Sequence, residues 1–103
     1  MSVDYHSALI YGYSCDPKDW SYKDRDKMEE LGWDVISDGY SDEFLYIGKT
    51  ISSVSCYEEA RVDCFKYLDQ SEIDVEYLLK DTPKELRKNL LFFASLYHLC
   101  YAT

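Results

Sequence analysis

The chain has 103 residues, 47% of them hydrophobic and 30% charged, so we expect a single folded domain over residues 1–103 and exclude a disordered chain. Twenty acidic residues against 11 basic ones give a net charge of −9. This charge disfavours direct binding to nucleic acid phosphates or to an anionic membrane surface, because like charges repel. The expected partner is therefore a basic protein surface.

Nothing in the sequence predicts export or membrane insertion. The N-terminus lacks a basic stretch followed by an apolar one, and the longest apolar run, 90–94, is far shorter than the ~20 residues of a membrane-spanning helix. We therefore expect a soluble, cytoplasmic protein. Its four cysteines, without a secretory signal, are expected to be reduced and structural.

The first third of the chain predicts a strand followed by a helix. Residues 7–13 are rich in apolar and aromatic side chains and end shortly before Asp16-Pro17, which is typical of a strand. Asp16 can cap a helix over 17–31 with Pro17 in its first turn. Ser21, three residues before Asp24, is an equally acceptable start one turn later.

Alternation with period two between residues 33 and 53 predicts a β-hairpin that turns at 37–42. Its second strand is expected to run from Phe44 to Ile51, and Gly48 within it favours a bulge or the close approach of another backbone. Together with the first strand, the hairpin makes a small three-stranded sheet, either antiparallel or mixed.

Capping signals predict that the second half is helical. Boxes in which a Ser or Thr precedes a Glu or Asp by three residues begin at Ser55, Ser71 and Thr82. The third box also has Pro83 at the first helical position, and it predicts a last helix over 83–101. The expected fold class is thus α+β: a three-stranded sheet of strand, helix and β-hairpin, followed by C-terminal helices.

The predicted last helix is apolar on two faces. One stripe includes Leu86, Leu90 and Tyr97, and the second consists of Phe92, Leu96 and Leu99. Such a helix is either the buried centre of the domain or a helix whose second stripe forms a dimer interface. The sequence does not decide between these two.

No motif for catalysis, a cofactor or a metal stands out. The four glycines are scattered, so no phosphate-binding loop is predicted, and no two cysteines have the spacing of zinc ligands. His98 and Cys100, two residues apart on a predicted helix, would point to different faces. His6 or a Cys–His pair would be needed for an enzyme, and we expect neither an enzyme nor a cofactor or metal.

The negative charge is concentrated in the middle of the chain. Residues 34–79 carry 11 acidic and three basic side chains, whereas residues 80–103 are slightly basic. Acidic residues three or four apart on a helix lie about 5–6 Å from each other, a spacing similar to that of nucleic acid backbone charges. The candidate partner-binding residues are these acids and two tyrosines expected at a turn and a cap: Asp38, Tyr40, Asp42, Glu43, Tyr57, Glu59, Asp63, Asp69, Glu72 and Glu76.

The segment Asp4-Tyr5-His6-Ser7-Ala8-Leu9-Ile10-Tyr11-Gly12-Tyr13 resembles the start of small proteins encoded by phages and prophages of low-GC Gram-positive bacteria. The whole profile, a small acidic α+β domain, is similar to phage-encoded anti-CRISPR proteins and other DNA mimics. The resemblance implies an inhibitor in the bacterial host cytoplasm that blocks the basic nucleic-acid groove of a defence nuclease, such as a CRISPR effector. The alternative is a homodimeric interaction or regulatory module whose acidic surface is only solvated.

Overall fold

The computed structural model describes residues 5–39, 42–55, 75–90 and 93–102. Four strands form one antiparallel sheet in the order β2-β3-β1-β4. The α+β class is confirmed, but the sheet has a fourth strand that the sequence did not predict. The elements in chain order are β1 (Tyr5–Cys15), a 3₁₀ turn (Pro17–Asp19), α1 (Tyr22–Glu30), β2 (Asp34–Ser37), β3 (Leu45–Ser55), α2 (Val75–Asp81), α3 (Lys84–Arg87) and β4 (Ser95–Ala102).

The two central strands, β1 and β3, approach each other closely at a pair of glycines. Gly12 and Gly48 are directly opposite in the register, and a Cβ atom added to either would collide with the backbone of the other strand. The close backbone approach predicted at Gly48 is thereby confirmed. The irregularity in the register lies elsewhere, between Leu9 and Ile10, where Ile51 of β3 is the extra residue of a bulge.

Helix α1 begins at the later of the two predicted starts. The Ser21 hydroxyl accepts the backbone N–H of Asp24, and the Asp24 carboxylate accepts the backbone N–H of Ser21. Asp16 instead caps the separate 3₁₀ turn by accepting the N–H of Lys18. The helix is followed by Gly32, whose φ of +102° lies in the left-handed region that favours glycine.

The predicted helix over 83–101 is wrong. Helix α3 covers only Lys84–Arg87, and the chain then returns as strand β4 beside β1. The apolar residues that gave two stripes on a helix alternate between the two faces of the sheet in β4, so the same residues fit either pattern. Thr82 also fails to cap: its buried hydroxyl donates to the Leu78 carbonyl, and no side chain caps α3.

Helix α2 agrees with the short helix predicted after Ser71, and it buries Val75 and Leu78. The start of that predicted helix and the whole helix predicted after Ser55 lie outside the described residues.

The helices pack on one face of the sheet and form the hydrophobic core there. Met28 of α1 and Leu78 of α2 contact a cluster that includes Tyr13 and Ile47 from the central strands. Trp33, 2% exposed, joins the layers, because its Nε1 donates to Thr82 Oγ1 at 2.8 Å. Within the described residues, no helix is long and apolar enough to cross a membrane. The opposite face of the sheet carries a different set of side chains.

Candidate interaction surface

That opposite face carries three rings in contact, which we call the aromatic strip: Phe44, Tyr46 and Tyr97. The ring centroids of Tyr46 and Tyr97 are 4.8 Å apart, and those of Phe44 and Tyr46 are 5.6 Å apart. All three side chains are half-buried. Tilted and edge-on ring pairs at these distances attract each other through their quadrupoles, so the three rings hold one another in place.

The register of the sheet explains how Tyr46 of β3 meets Tyr97 of β4 across the intervening strand β1. Tyr46 is paired with Ser14, and Tyr97 is paired with Ile10. Ser14 and Ile10 point to the same face, and the residue between them on that face is Gly12. Because Gly12 has no side chain, the two rings can approach each other over β1.

The Tyr46 hydroxyl is partly shielded from water. Burial raises the pKa of Tyr46, and the neighbouring Tyr97 adds to the rise. The Tyr97 hydroxyl lies 3.5 Å from the hydroxyl of Ser14. A cation or an apolar side chain that binds here would therefore meet an aromatic ring and a neutral hydroxyl at one place.

The loop between β2 and β3 carries the predicted hairpin acids, Asp38, Asp42 and Glu43, and is followed by Phe44 of this strip. The backbone carbonyl of Asp38 accepts the N–H of Asp42 at 2.7 Å, which closes the turn. Glu43 directly precedes Phe44 and is exposed, and it makes no hydrogen bond or ion pair within the described residues. The aromatic strip therefore begins one residue after an exposed carboxylate.

Asp42 has a structural partner, which the sequence did not reveal. Its carboxylate accepts two hydrogen bonds from the Arg25 guanidinium, at 3.0 and 3.3 Å, and the side chains are 41% and 8% exposed respectively. Arg25 also donates to the Pro17 carbonyl at 3.2 Å and lies 5.0 Å from the centroid of the Tyr22 ring. Arg25 thus ties the hairpin loop to α1 and to the 3₁₀ turn, and it neutralises one of the three hairpin acids.

The other predicted partner-binding residues do not join this surface within the described chain. Glu76 is exposed in the first turn of α2, on the helix-covered side of the sheet, opposite to the aromatic strip. There it contributes, after burial and Tyr11, to the raised pKa of Tyr13. The remaining candidates lie outside the described residues: Tyr40, Tyr57, Glu59, Asp63, Asp69 and Glu72.

The predicted dimer stripe does not exist as a helical surface. Leu96 and Leu99 both lie on β4, three residues apart, so they point to opposite faces of the sheet. Leu99 is 6% exposed and Leu96 is half-buried. Phe92 lies outside the described residues. A dimer made by β4 would therefore have to use the strand's edge rather than one side-chain stripe.

The titratable groups with potential for chemistry are dispersed. Burial and then the nearby Asp19 carboxylate raise the pKa of the Cys15 thiol to about 12, so this thiol is neutral and a poor nucleophile at physiological pH. The hydroxyl of Ser7, 2% exposed, lies 2.7 Å from Nε2 of His98, on the neighbouring strand. In the part of the chain that the structure describes, no group of three or more His, Cys, Asp or Glu residues could hold a metal ion.

Sequence reasoning missed the aromatic strip because it placed Tyr97 on a helix. Phe44 and Tyr46 were already on one face by their period-two spacing. The additional signal was a glycine in each of two predicted strands, Gly12 and Gly48, which permits a close strand pair and leaves room for rings from the flanking strands to meet over it. Comparison with protein-family models, with curated proteins and with solved structures finds no significant match to this chain.

Proposed function

We propose that this chain is a protein inhibitor that occupies the basic nucleic-acid groove of a bacterial defence nuclease, with CRISPR effector nucleases as the first candidates. The observation that supports the proposal is the aromatic strip, preceded directly in the chain by the exposed Glu43, on a chain of net charge −9. Arginine and lysine are the side chains that satisfy both features, through charge-assisted hydrogen bonds to the carboxylate and cation–π contact with the rings.

Charge favours a basic protein over nucleic acid as the ligand of this surface. Aromatic side chains on sheets also stack on nucleic acid bases, but such platforms lie in positively charged grooves that hold the backbone. Here the loop that borders the strip carries Asp38, Asp42 and Glu43, and its one described ion pair is internal. A phosphate backbone that approached the strip would be repelled by Glu43, unpaired within the described residues, whereas a groove built to hold phosphates would find this carboxylate complementary.

The residues divide into two roles under this proposal. Glu43 pairs with an arginine or lysine of the groove, and Tyr46 and Tyr97 pack against the guanidinium or the alkyl part of a neighbouring cationic side chain. Asp42 and Arg25 hold the hairpin loop in the position that presents Glu43. The proposed inhibitor acts by competition for the groove and carries out no reaction of its own.

Target cleavage by a panel of purified, guide-loaded CRISPR effector nucleases, with and without the chain, tests the proposal. Inhibition of at least one nuclease by the wild type is expected, and Glu43→Lys should weaken it about tenfold, because a reversed charge faces a basic groove. Asp26→Lys is the matched control, since Asp26 is exposed on α1 and the change in net charge is the same.

Failure of the wild type against the whole panel would overturn the choice of target class. Equal weakening by Glu43→Lys and Asp26→Lys would show that overall charge, and not the surface beside the aromatic strip, drives binding.

A further inference from the structure

We propose that a second copy of this chain pairs with the outer edge of β4, so that two β4 strands run antiparallel and the two sheets become one. Within the described residues, β4 pairs with β1 on one side and has no strand on the other. An open strand edge presents a row of backbone N–H and C=O groups that can pair with another strand. This inference does not depend on the proposed function.

The composition of β4 lacks the devices that keep sheet edges apart. Its eight residues contain no Asp, Glu, Lys, Arg or Pro, and its register with β1 is continuous. Soluble proteins usually protect an edge with a charged residue, a proline, a bulge or a very short strand. A long, regular and uncharged edge is therefore suited to pairing.

The opposite edge of the sheet shows the contrast. Strand β2 has four residues, and it begins with Asp34. The Asp34 carboxylate accepts the backbone N–H of Thr50 at 2.8 Å, just beyond the stretch of β3 that β2 covers. One edge of the sheet is thus short and closed by a carboxylate, whereas the β4 edge has neither feature.

Symmetry favours a second copy as the occupant, and the composition of β4 limits the electrostatic cost. Two chains of net charge −9 repel each other, and β4 lets them approach without placing carboxylates opposite each other in the strand pair. A basic partner finds no carboxylate on β4. Two identical edges, by contrast, are self-complementary under a two-fold axis, which makes the strands antiparallel.

The geometry of such a pair also fixes where the two aromatic strips lie. Neighbouring antiparallel strands are related by a two-fold axis perpendicular to the sheet, so each face of one copy continues into the same face of the other. Tyr97 belongs to β4, so both strips would lie on one side of the joined sheet, near its centre.

Sedimentation equilibrium over a range of concentrations tests the inference on the full chain. A dimer of twice the 12.1 kDa chain mass is expected. Cys100→Glu should raise its dissociation constant at least tenfold, because Cys100 is exposed on β4 and the change places carboxylates in the strand pair. Tyr22→Glu, at an exposed position of α1, is the control for added charge and should leave the dimer intact. Cys100→Ser should also leave it intact, since no disulfide is invoked.

Amide hydrogen exchange provides the second readout. The β4 amides should exchange slowly in the dimer and faster on dilution below its dissociation constant. A chain that is monomeric at every concentration would overturn the inference. So would a dimer that Cys100→Glu leaves unchanged, or one that Cys100→Ser abolishes.

Discussion

The rings of Tyr46 and Tyr97 lie 4.8 Å apart although strand β1 separates the strands that carry them. The contact exists because Gly12, the residue of β1 between their two cross-strand partners on that face, has no side chain. Gly12 also lies opposite Gly48, where a Cβ atom on either residue would collide with the other strand. One glycine thus determines both the packing of the central strands and the shape of the proposed binding surface.

Replacing Gly12 by alanine should destabilise the fold. The added Cβ collides with the backbone of Ile47 and Gly48, which cannot move aside as a flexible side chain could. We expect a loss of about 1–3 kcal/mol in the free energy of unfolding, the range for overpacking a filled interior. Urea denaturation measures it. Gly39→Ala, in the exposed hairpin turn, is the control and should change stability by about 0.5 kcal/mol or less.

Asp42 should matter for stability and Glu43 for binding, although both are exposed acids of one loop. Asp42→Ala leaves the Arg25 guanidinium, 8% exposed, with the Pro17 carbonyl as its remaining described hydrogen-bond partner. The expected cost is about 1–2 kcal/mol, reduced from that of a fully buried pair because Asp42 itself is screened by water.

Asp42→Asn separates charge from shape at this position. Asn tolerates the left-handed backbone that Asp42 adopts, at φ 51°, and keeps one oxygen for Arg25. Its stability should lie between those of the wild type and Asp42→Ala, and Glu43→Ala should unfold like the wild type. Denaturation curves in which Glu43→Ala is the more destabilised variant would contradict the roles assigned here.

The stability that the hydrogen bond between Trp33 and Thr82 contributes should depend on the hydroxyl group of residue 82 rather than on its size. The Thr82 hydroxyl accepts the Trp33 Nε1–H and donates to the Leu78 carbonyl, each at 2.8 Å. Thr82→Val leaves a buried donor without an acceptor, which costs about 1–3 kcal/mol. Thr82→Ser keeps the hydroxyl and loses one methyl group, so about 1 kcal/mol or less is expected. Thermal unfolding of both variants should rank them in this order.

Stability should fall at alkaline pH partly because of Cys15. The pKa of the folded thiol is raised to about 12 from an ordinary value of 9.0, so between these pH values the unfolded chain ionises Cys15 and the folded chain does not. The stabilisation from the neutral thiol is complete below pH 9 and decreases as pH rises towards 12, by up to about 1 kcal/mol per pH unit. Unfolding of Cys15→Ala should lack this part of the decline.

Tyrosines with raised pKa values also titrate in this range, and they are common to the wild type and Cys15→Ala. The difference between the two stability curves therefore isolates the thiol. Parallel curves up to pH 11 would contradict a buried, neutral Cys15.

Local signals indicated several features of the first half of the fold, although they left open two starts for α1 and two roles for Gly48. The capping box at Ser21, the hairpin and the close approach at Gly48 follow from residues near each other in sequence, and all three are present. Strand β4 was not predictable by the same rules, because its apolar residues satisfy a helical stripe as well as an alternating one. Its identity depends on β1, about 90 residues away, which supplies its hydrogen-bond partners.

The candidate surface was predictable only in its charge. The hairpin acids could be found from composition and turn signals, whereas the ion pair that removes Asp42 from the surface depends on Arg25 in a different element. The aromatic strip joins residues from β3 and β4 over β1, and such a contact requires the strand order, which the sequence does not show.

Displacement of nucleic acid tests the central claim most directly. The experiment uses a guide-loaded nuclease that the chain inhibits, with a labelled target strand bound to it. Fluorescence anisotropy of the strand is followed as the chain is added at low and at high salt. The wild type should displace the strand, with an affinity that falls as salt screens the charge pairs, and Glu43→Lys should displace it about tenfold less well. A chain that binds the nuclease while the strand stays bound, or one whose displacement depends on neither salt nor Glu43, would contradict competition for a basic groove.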